Sequence, residues 1–69
     1  MSKIKIILNG EEKILPHQMS IAELVAEYQL DVTKIAIEKD LEIVNPIDFS
    51  EVILCDGSRV EVVHFIGGG

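Results

Sequence analysis

The 69-residue sequence has no tryptophan, only two phenylalanines and one tyrosine, so aromatic packing cannot supply most of its core. It has a single cysteine, Cys55, which excludes an intramolecular disulfide. No Cys/His cluster with zinc-ligand spacing is present. A chain of this length buries only about 60% of the surface it exposes when unfolded. Such a core is expected to yield about 3–5 kcal/mol, and small domains often add disulfides or a metal. Here isoleucine, valine and leucine must hold the fold themselves. No apolar run approaches the ~20 residues that span a bilayer. The lone cysteine and the lack of a signal-peptide pattern give the expectation of a reducing, cytoplasmic setting with no membrane role. Basic residues are also scarce: 6 Lys and Arg stand against 12 Asp and Glu, a net charge of −6. That balance argues against nucleic acid, whose binding rests on neutralised phosphates. It suits a partner with a basic surface, and equally suits simple solubility.

What is present is patterned at short range. In "KIKIILNGEEKILP", Ile4, Ile6 and Leu8 recur at period two with Lys3 and Lys5 between them, predicting a half-buried strand. Asn9-Gly10 tolerates the positive φ of a type I′ turn, so a hairpin with a second strand over residues 11–15 is expected. Pro16 stops that strand by removing a donor. "MSIAELVAEYQL" reads as the helix. Ser20 is its N-cap and Glu23 completes a capping box, with Met19 and Leu24 placed as a hydrophobic staple. Ile21, Leu24, Val25 and Tyr28 form its apolar stripe. A short strand over residues 34–38, a polar turn at Lys39-Asp40 and one helical turn within residues 47–52 follow. Asp56-Gly57 then turns the chain into a last strand over residues 59–66.

The order is strand, strand, helix, strand, turn, strand. One helix on one face of a small sheet buries these stripes economically. The aliphatic first and last strands are expected to be parallel neighbours at the centre. The expectation is an α+β ubiquitin-like β-grasp, a mixed four- to five-stranded sheet on one helix. It comprises one domain over residues 1–66 and a flexible Gly-Gly-Gly tail over residues 67–69.

Parity in the last strand carries a functional hint. Val60, Val62, His64 and Ile66 alternate with Glu61, Val63 and Phe65, and Glu61 is costly to bury without a partner. Val63 and Phe65 are then exposed, and the same alternation turns Ile7 outward. Ile7, Val63 and Phe65 are expected to form one apolar patch for docking a protein partner. His64, on the inner side, is expected to be a half-buried core residue. Cys55, His17 and the carboxylates Glu11, Glu12, Asp40 and Glu42 show no signature of catalysis or reactivity.

The chain then ends in Gly67, Gly68 and Gly69. A terminal carboxylate is a poor acyl donor until activated, for example by attack on the α-phosphate of ATP. Glycine has no side chain to clash in a partner's narrow channel. A carried acyl group on Gly69 is therefore chemically coherent, although terminal glycines also arise without function.

"VEVVHFIGGG", the preceding "DGSRV" and the opening "IKIILNGE" together resemble the ThiS family, the sulfur carriers of thiamine biosynthesis. The likeness spans essentially the whole chain and is most specific in its last dozen residues. The resemblance implies a carrier rather than an enzyme, with no resident cofactor. An adenylating, E1-like partner would use ATP to activate the Gly69 carboxylate. A sulfur-transfer protein would convert it to a thiocarboxylate, and thiazole synthase would receive the sulfur. Gly67 and Gly68 would thread the partners' channels, and Ile7, Val63 and Phe65 would dock them. Some members end on two glycines and this chain on three. The small subunit of molybdopterin synthase and a ubiquitin-like protein modifier use the same activated terminus and remain as alternatives.

Overall fold

A period-two run feeding a turn with two positive φ angles builds the first hairpin. In the computed structural model, which describes residues 2–65, β1 (Ile4–Leu8) pairs antiparallel with β2 (Glu11–Leu15). Asn9 and Gly10 between them have φ of 50° and 81°, as a type I′ turn requires. Ile4 and Ile6 are buried, while Lys5 is exposed.

The helix α1 (Ile21–Glu27) starts as its sequence dictates. Ser20 Oγ accepts from the Glu23 N–H at 3.1 Å, and Glu23 Oε1 accepts from the Ser20 N–H at 3.0 Å. Two further N–H groups of the first turn are satisfied from outside: Ile21 donates to the Val52 carbonyl and Ala22 to that of Phe49, both at 2.9 Å. Ile21, Leu24 and Val25 are buried against the sheet. Tyr28 departs from the expected stripe and is exposed. The helix has ended by then, with Gln29 at φ 55° and the Leu30 N–H donating back to the Val25 carbonyl.

A 3₁₀ turn (Val32–Lys34) leads into β4 (Ile35–Lys39), which pairs antiparallel with β5 (Glu42–Val44). The sequence predicts β4 one residue early and does not predict β5. The turn is Asp40-Leu41 rather than Lys39-Asp40, with φ of 50° and 72°. The expected helical turn within residues 47–52 is a 3₁₀ turn at Pro46–Asp48, after which Phe49 inserts into the core. A two-residue bridge, β3 (Met19–Ser20) with β6 (Ile53–Leu54), ties this region to the start of the helix.

β7 (Arg59–His64) completes the sheet in the order β2-β1-β7-β4-β5. It lies parallel to β1 and antiparallel to β4, so the first and last strands are central neighbours as expected. Ile6, Ile37 and Val60 from the three central strands meet Ile21 and Leu24 of the helix in one core. Every described core residue lies at or before Val60. No helix among the described residues is long and apolar enough to cross a membrane.

Candidate functional site

The last strand is fastened along its length, and each fastening has a local cause. The Asp56-Gly57 turn, with Gly57 at φ 90°, is pinned to β1. Asp56 Oδ1 accepts from the Lys5 N–H at 2.8 Å, and the Gly57 N–H donates to the Lys5 carbonyl at 2.7 Å. At the entry of β7, Asp40 Oδ1 accepts from the Arg59 N–H at 2.9 Å. The same carboxylate takes a 2.9 Å contact from Lys39 Nζ. The Lys39 hydrogen bond, then that of the Arg59 amide, holds the Asp40 pKa below the ordinary aspartate value. Further along, Asn9 Oδ1 accepts from the Val62 N–H at 2.7 Å, and the Phe65 N–H donates to the Lys34 carbonyl at 2.8 Å. The strand is thus ordered by its neighbours up to Phe65.

Alternation then sorts its side chains. Val60 is buried and Val62 half-buried, while Val63 and Phe65 are 53% and 56% exposed, as parity predicts. Ile7 is half-buried. It does not join the other two: Ile7 is in register with Arg59, whereas Val63 stands opposite Ala36 of β4. Four residues along an extended strand separate Ile7 from Val63 by about 13 Å. The expected single patch therefore resolves into two places. Val63, Ala36 and Phe65 lie toward the exit of β7, and Ile7 lines a small depression with Leu41, Glu38 and Glu61 at its entry.

Two exposed apolar side chains of this region, Leu41 and Ile43, are not among those the sequence predicts. Ile43 is 77% exposed and sits on the open face opposite Glu38, which in turn faces Glu61. Phe65 and Ile43 line one broad groove with Val32, Ala36 and Val44. The alternation Leu41, Ile43 was the available signal, hidden because β5 is only three residues long.

His64 corrects the expectation of a half-buried core residue. It stands opposite Ile35, on the helix side, but it is exposed. The helix has ended at Glu27, so His64 only borders a shallow depression with Leu8, Tyr28 and Leu30. Cys55 is exposed, with Gln18 Nε2 at 3.3 Å from its sulfur. His17 Nδ1 lies 2.8 Å from the Gln18 carbonyl. Among the described residues, no three His, Cys, Asp or Glu side chains are grouped to hold a metal. Gly67, Gly68 and Gly69 lie outside the described residues.

The site is thus a clamped strand with an exposed apolar exit, followed in sequence by three glycines. Against known proteins, a model of the ThiS family matches residues 5–69. The sulfur carrier protein ThiS of Bacillus subtilis (strain 168) is 40% identical over 63 residues, covering 90% of this chain and 96% of the relative. A thiazole synthase of Paramagnetospirillum magneticum is 39% identical over 66 residues, covering 96% of this chain. One from Magnetococcus marinus is 33% identical over the same length. The chain spans only 20% of the length of each of these two synthases. The crystal structure of the thiamine biosynthesis protein ThiS from Geobacter metallireducens superposes with a TM-score of 0.84 at 22% identity. That match covers 96% of this chain and all of the other, and it establishes the shared ubiquitin-like fold.

Proposed function

The chain belongs to the ThiS family, and from that premise we propose that it carries sulfur for thiamine biosynthesis on the carboxylate of Gly69. The observation that carries this reading is the exit of β7. Val63 and Phe65 are exposed at the end of a strand held from its neighbours, and after Ile66 the sequence runs into Gly67-Gly68-Gly69. The described residues offer a surface to be gripped and the sequence offers an unhindered end to be delivered.

In this reading a carboxylate oxygen of Gly69 attacks the α-phosphorus of ATP in an adenylating partner, and pyrophosphate leaves. A sulfide-level nucleophile supplied by a sulfur-transfer protein attacks the resulting acyl carbon, and AMP leaves. The product is a thiocarboxylate, whose sulfur passes to thiazole synthase. The protein is co-substrate in these steps and supplies no catalytic group. The two similar thiazole synthases support that last partner, because a segment like this chain forms part of each. The exposed Val63–Phe65 region is the docking face, and an acidic net charge of −6 favours partners with basic surroundings.

Intact-mass spectrometry tests the reading directly. A chain ending at Gly69 is incubated with the cognate adenylating protein, ATP and a sulfur donor. One oxygen is expected to be replaced by sulfur at Gly69. An unchanged mass, under conditions that load a control carrier, overturns the proposal.

A further inference from the structure

β1 and β7 share only two register positions, Ile7 with Arg59 and Leu8 with Val60, before β1 leaves the sheet at the Asn9-Gly10 turn. Beyond that point no strand among the described residues pairs with β7 on its β1 side, although β4 still accompanies it on the other through Ile35 and His64. Asn9 occupies the vacated place. Its backbone N–H donates to the Val60 carbonyl at 2.9 Å, and its side-chain Oδ1 accepts from the Val62 N–H at 2.7 Å. One residue therefore bonds β7 at two positions, first as backbone and then with a side chain that substitutes for the missing strand.

We propose that Asn9 is a positioning residue for activation of the chain end: by holding the Val62 amide it fixes the direction in which β7 leaves the domain. The inference rests on the carrier reading above. Asn9 supplies no group to the reaction. It acts through the strand. Without its side chain, the described contacts along the segment from Val62 to Phe65 come from the β4 side: the register pairs of Val62, Val63 and His64, and the Lys34 carbonyl. The exit then samples more orientations, and the fraction poised to enter a partner falls. Apparent affinity falls by that same fraction, while the chemistry of a correctly bound carrier is unchanged.

The turn alone does not explain asparagine here. A residue at φ 50° is satisfied by glycine, which has the freedom but no acceptor. Aspartate keeps both an acceptor and tolerance of the left-handed region. The pair Asn9→Gly and Asn9→Asp therefore separates a turn role from a positioning role.

The experiment measures carrier-dependent pyrophosphate release by the cognate adenylating protein over a range of carrier concentrations, alongside amide hydrogen exchange at Val62. For Asn9→Gly, exchange at Val62 is expected to accelerate while the Ile6 and Ile37 amides stay protected. KM for the carrier is expected to rise about threefold to tenfold with kcat unchanged. Asn9→Asp is expected to restore both. A wild-type KM in an Asn9→Gly protein whose Val62 amide is deprotected overturns the proposal, as does a KM defect that Asn9→Asp does not relieve while protecting Val62. If Asn9→Gly does not fold, an ester in place of the Glu61–Val62 amide removes the same donor with Asn9 intact. It is expected to raise KM likewise, and an unchanged KM overturns the proposal. Failure of the wild-type chain to be activated at all removes the carrier reading, and is distinguishable because every variant then fails together.

Discussion

Asp40 and Arg59 hold one another reciprocally: the Arg59 N–H donates to Asp40 Oδ1 at 2.9 Å, and the Asp40 N–H donates to the Arg59 carbonyl at 2.8 Å. The hairpin turn between β4 and β5 thus fixes the start of β7, as Asn9 fixes its later course. Its carboxylate also faces Lys39, and its pKa is lowered by the Lys39 and Arg59 hydrogen bonds. A carboxylate with a depressed folded pKa contributes stability above its unfolded value of about 3.9, and loses it as pH falls through the folded value. Thermal unfolding followed between about pH 6 and pH 2 should show stability declining on the acid side. Asp40→Asn keeps an oxygen acceptor and tolerance of positive φ but does not titrate. Its decline should be shallower than that of the wild type, and an equally steep decline would assign the acid sensitivity elsewhere. Glu23 and Asp31, lowered by hydrogen bonds from Ser20 and Thr33, account for part of the remainder.

Beside Asp40, Leu41 adopts φ 72° while 81% exposed. A left-handed conformation costs an ordinary L residue about 1–2 kcal/mol, and an exposed leucine recovers little by burial. Leu41→Asn should therefore stabilise the domain by about 0.5–1 kcal/mol. That corresponds to a rise in Tm of about 2–8 °C for a chain of this size. A fall in Tm in differential scanning calorimetry would show that Leu41 makes a contact worth more than its strain.

Which parts of this fold were legible follows from how much of each signal is local. The first hairpin and the capping box are written within a few residues, in Asn9-Gly10 and in Ser20 with Glu23, and both form as read. Parity in β7 placed Val63 and Phe65 correctly because Glu61 fixes which side faces water. β5 was missed because its turn uses Asp40-Leu41, without the glycine that ordinarily announces a type I′ turn. The β3–β6 bridge has two residues per strand, too few for any period. His64 was misjudged because alternation reports the side of a sheet and not whether a helix reaches far enough to cover it. Ile7 was grouped with Val63 because the relative offset of parallel strands is set by tertiary contacts, here the Ile7 pairing with Arg59.

That offset makes a discriminating binding prediction. Phe65 and Val63 lie at the exit of β7 and Ile7 about 13 Å away at its entry. None of the three belongs to the buried core. Phe65→Ala should leave the unfolding midpoint nearly unchanged and weaken binding to the adenylating partner about fivefold or more, as loss of an aromatic anchor does. Ile7→Ala should weaken it less. Calorimetric titration with each variant checks both, and equal losses would mean that the docking face extends over the whole open side of the sheet.

The last prediction separates the fold from the chemistry. All described core residues stand at or before Val60, so removing Gly68 and Gly69 leaves every one of them in place. The truncated chain should unfold at the wild-type temperature and yet acquire no sulfur, because its terminal carboxylate falls two residues short of the position the partner requires. Adding a single residue after Gly69 makes the complementary change. The Gly69 carbonyl becomes an amide, which has no free carboxylate oxygen to attack ATP. That extended chain should also be stable and unloaded until the added residue is cleaved, after which mass spectrometry should show sulfur at Gly69. Loading of the uncleaved chain would place the activated group somewhere other than Gly69.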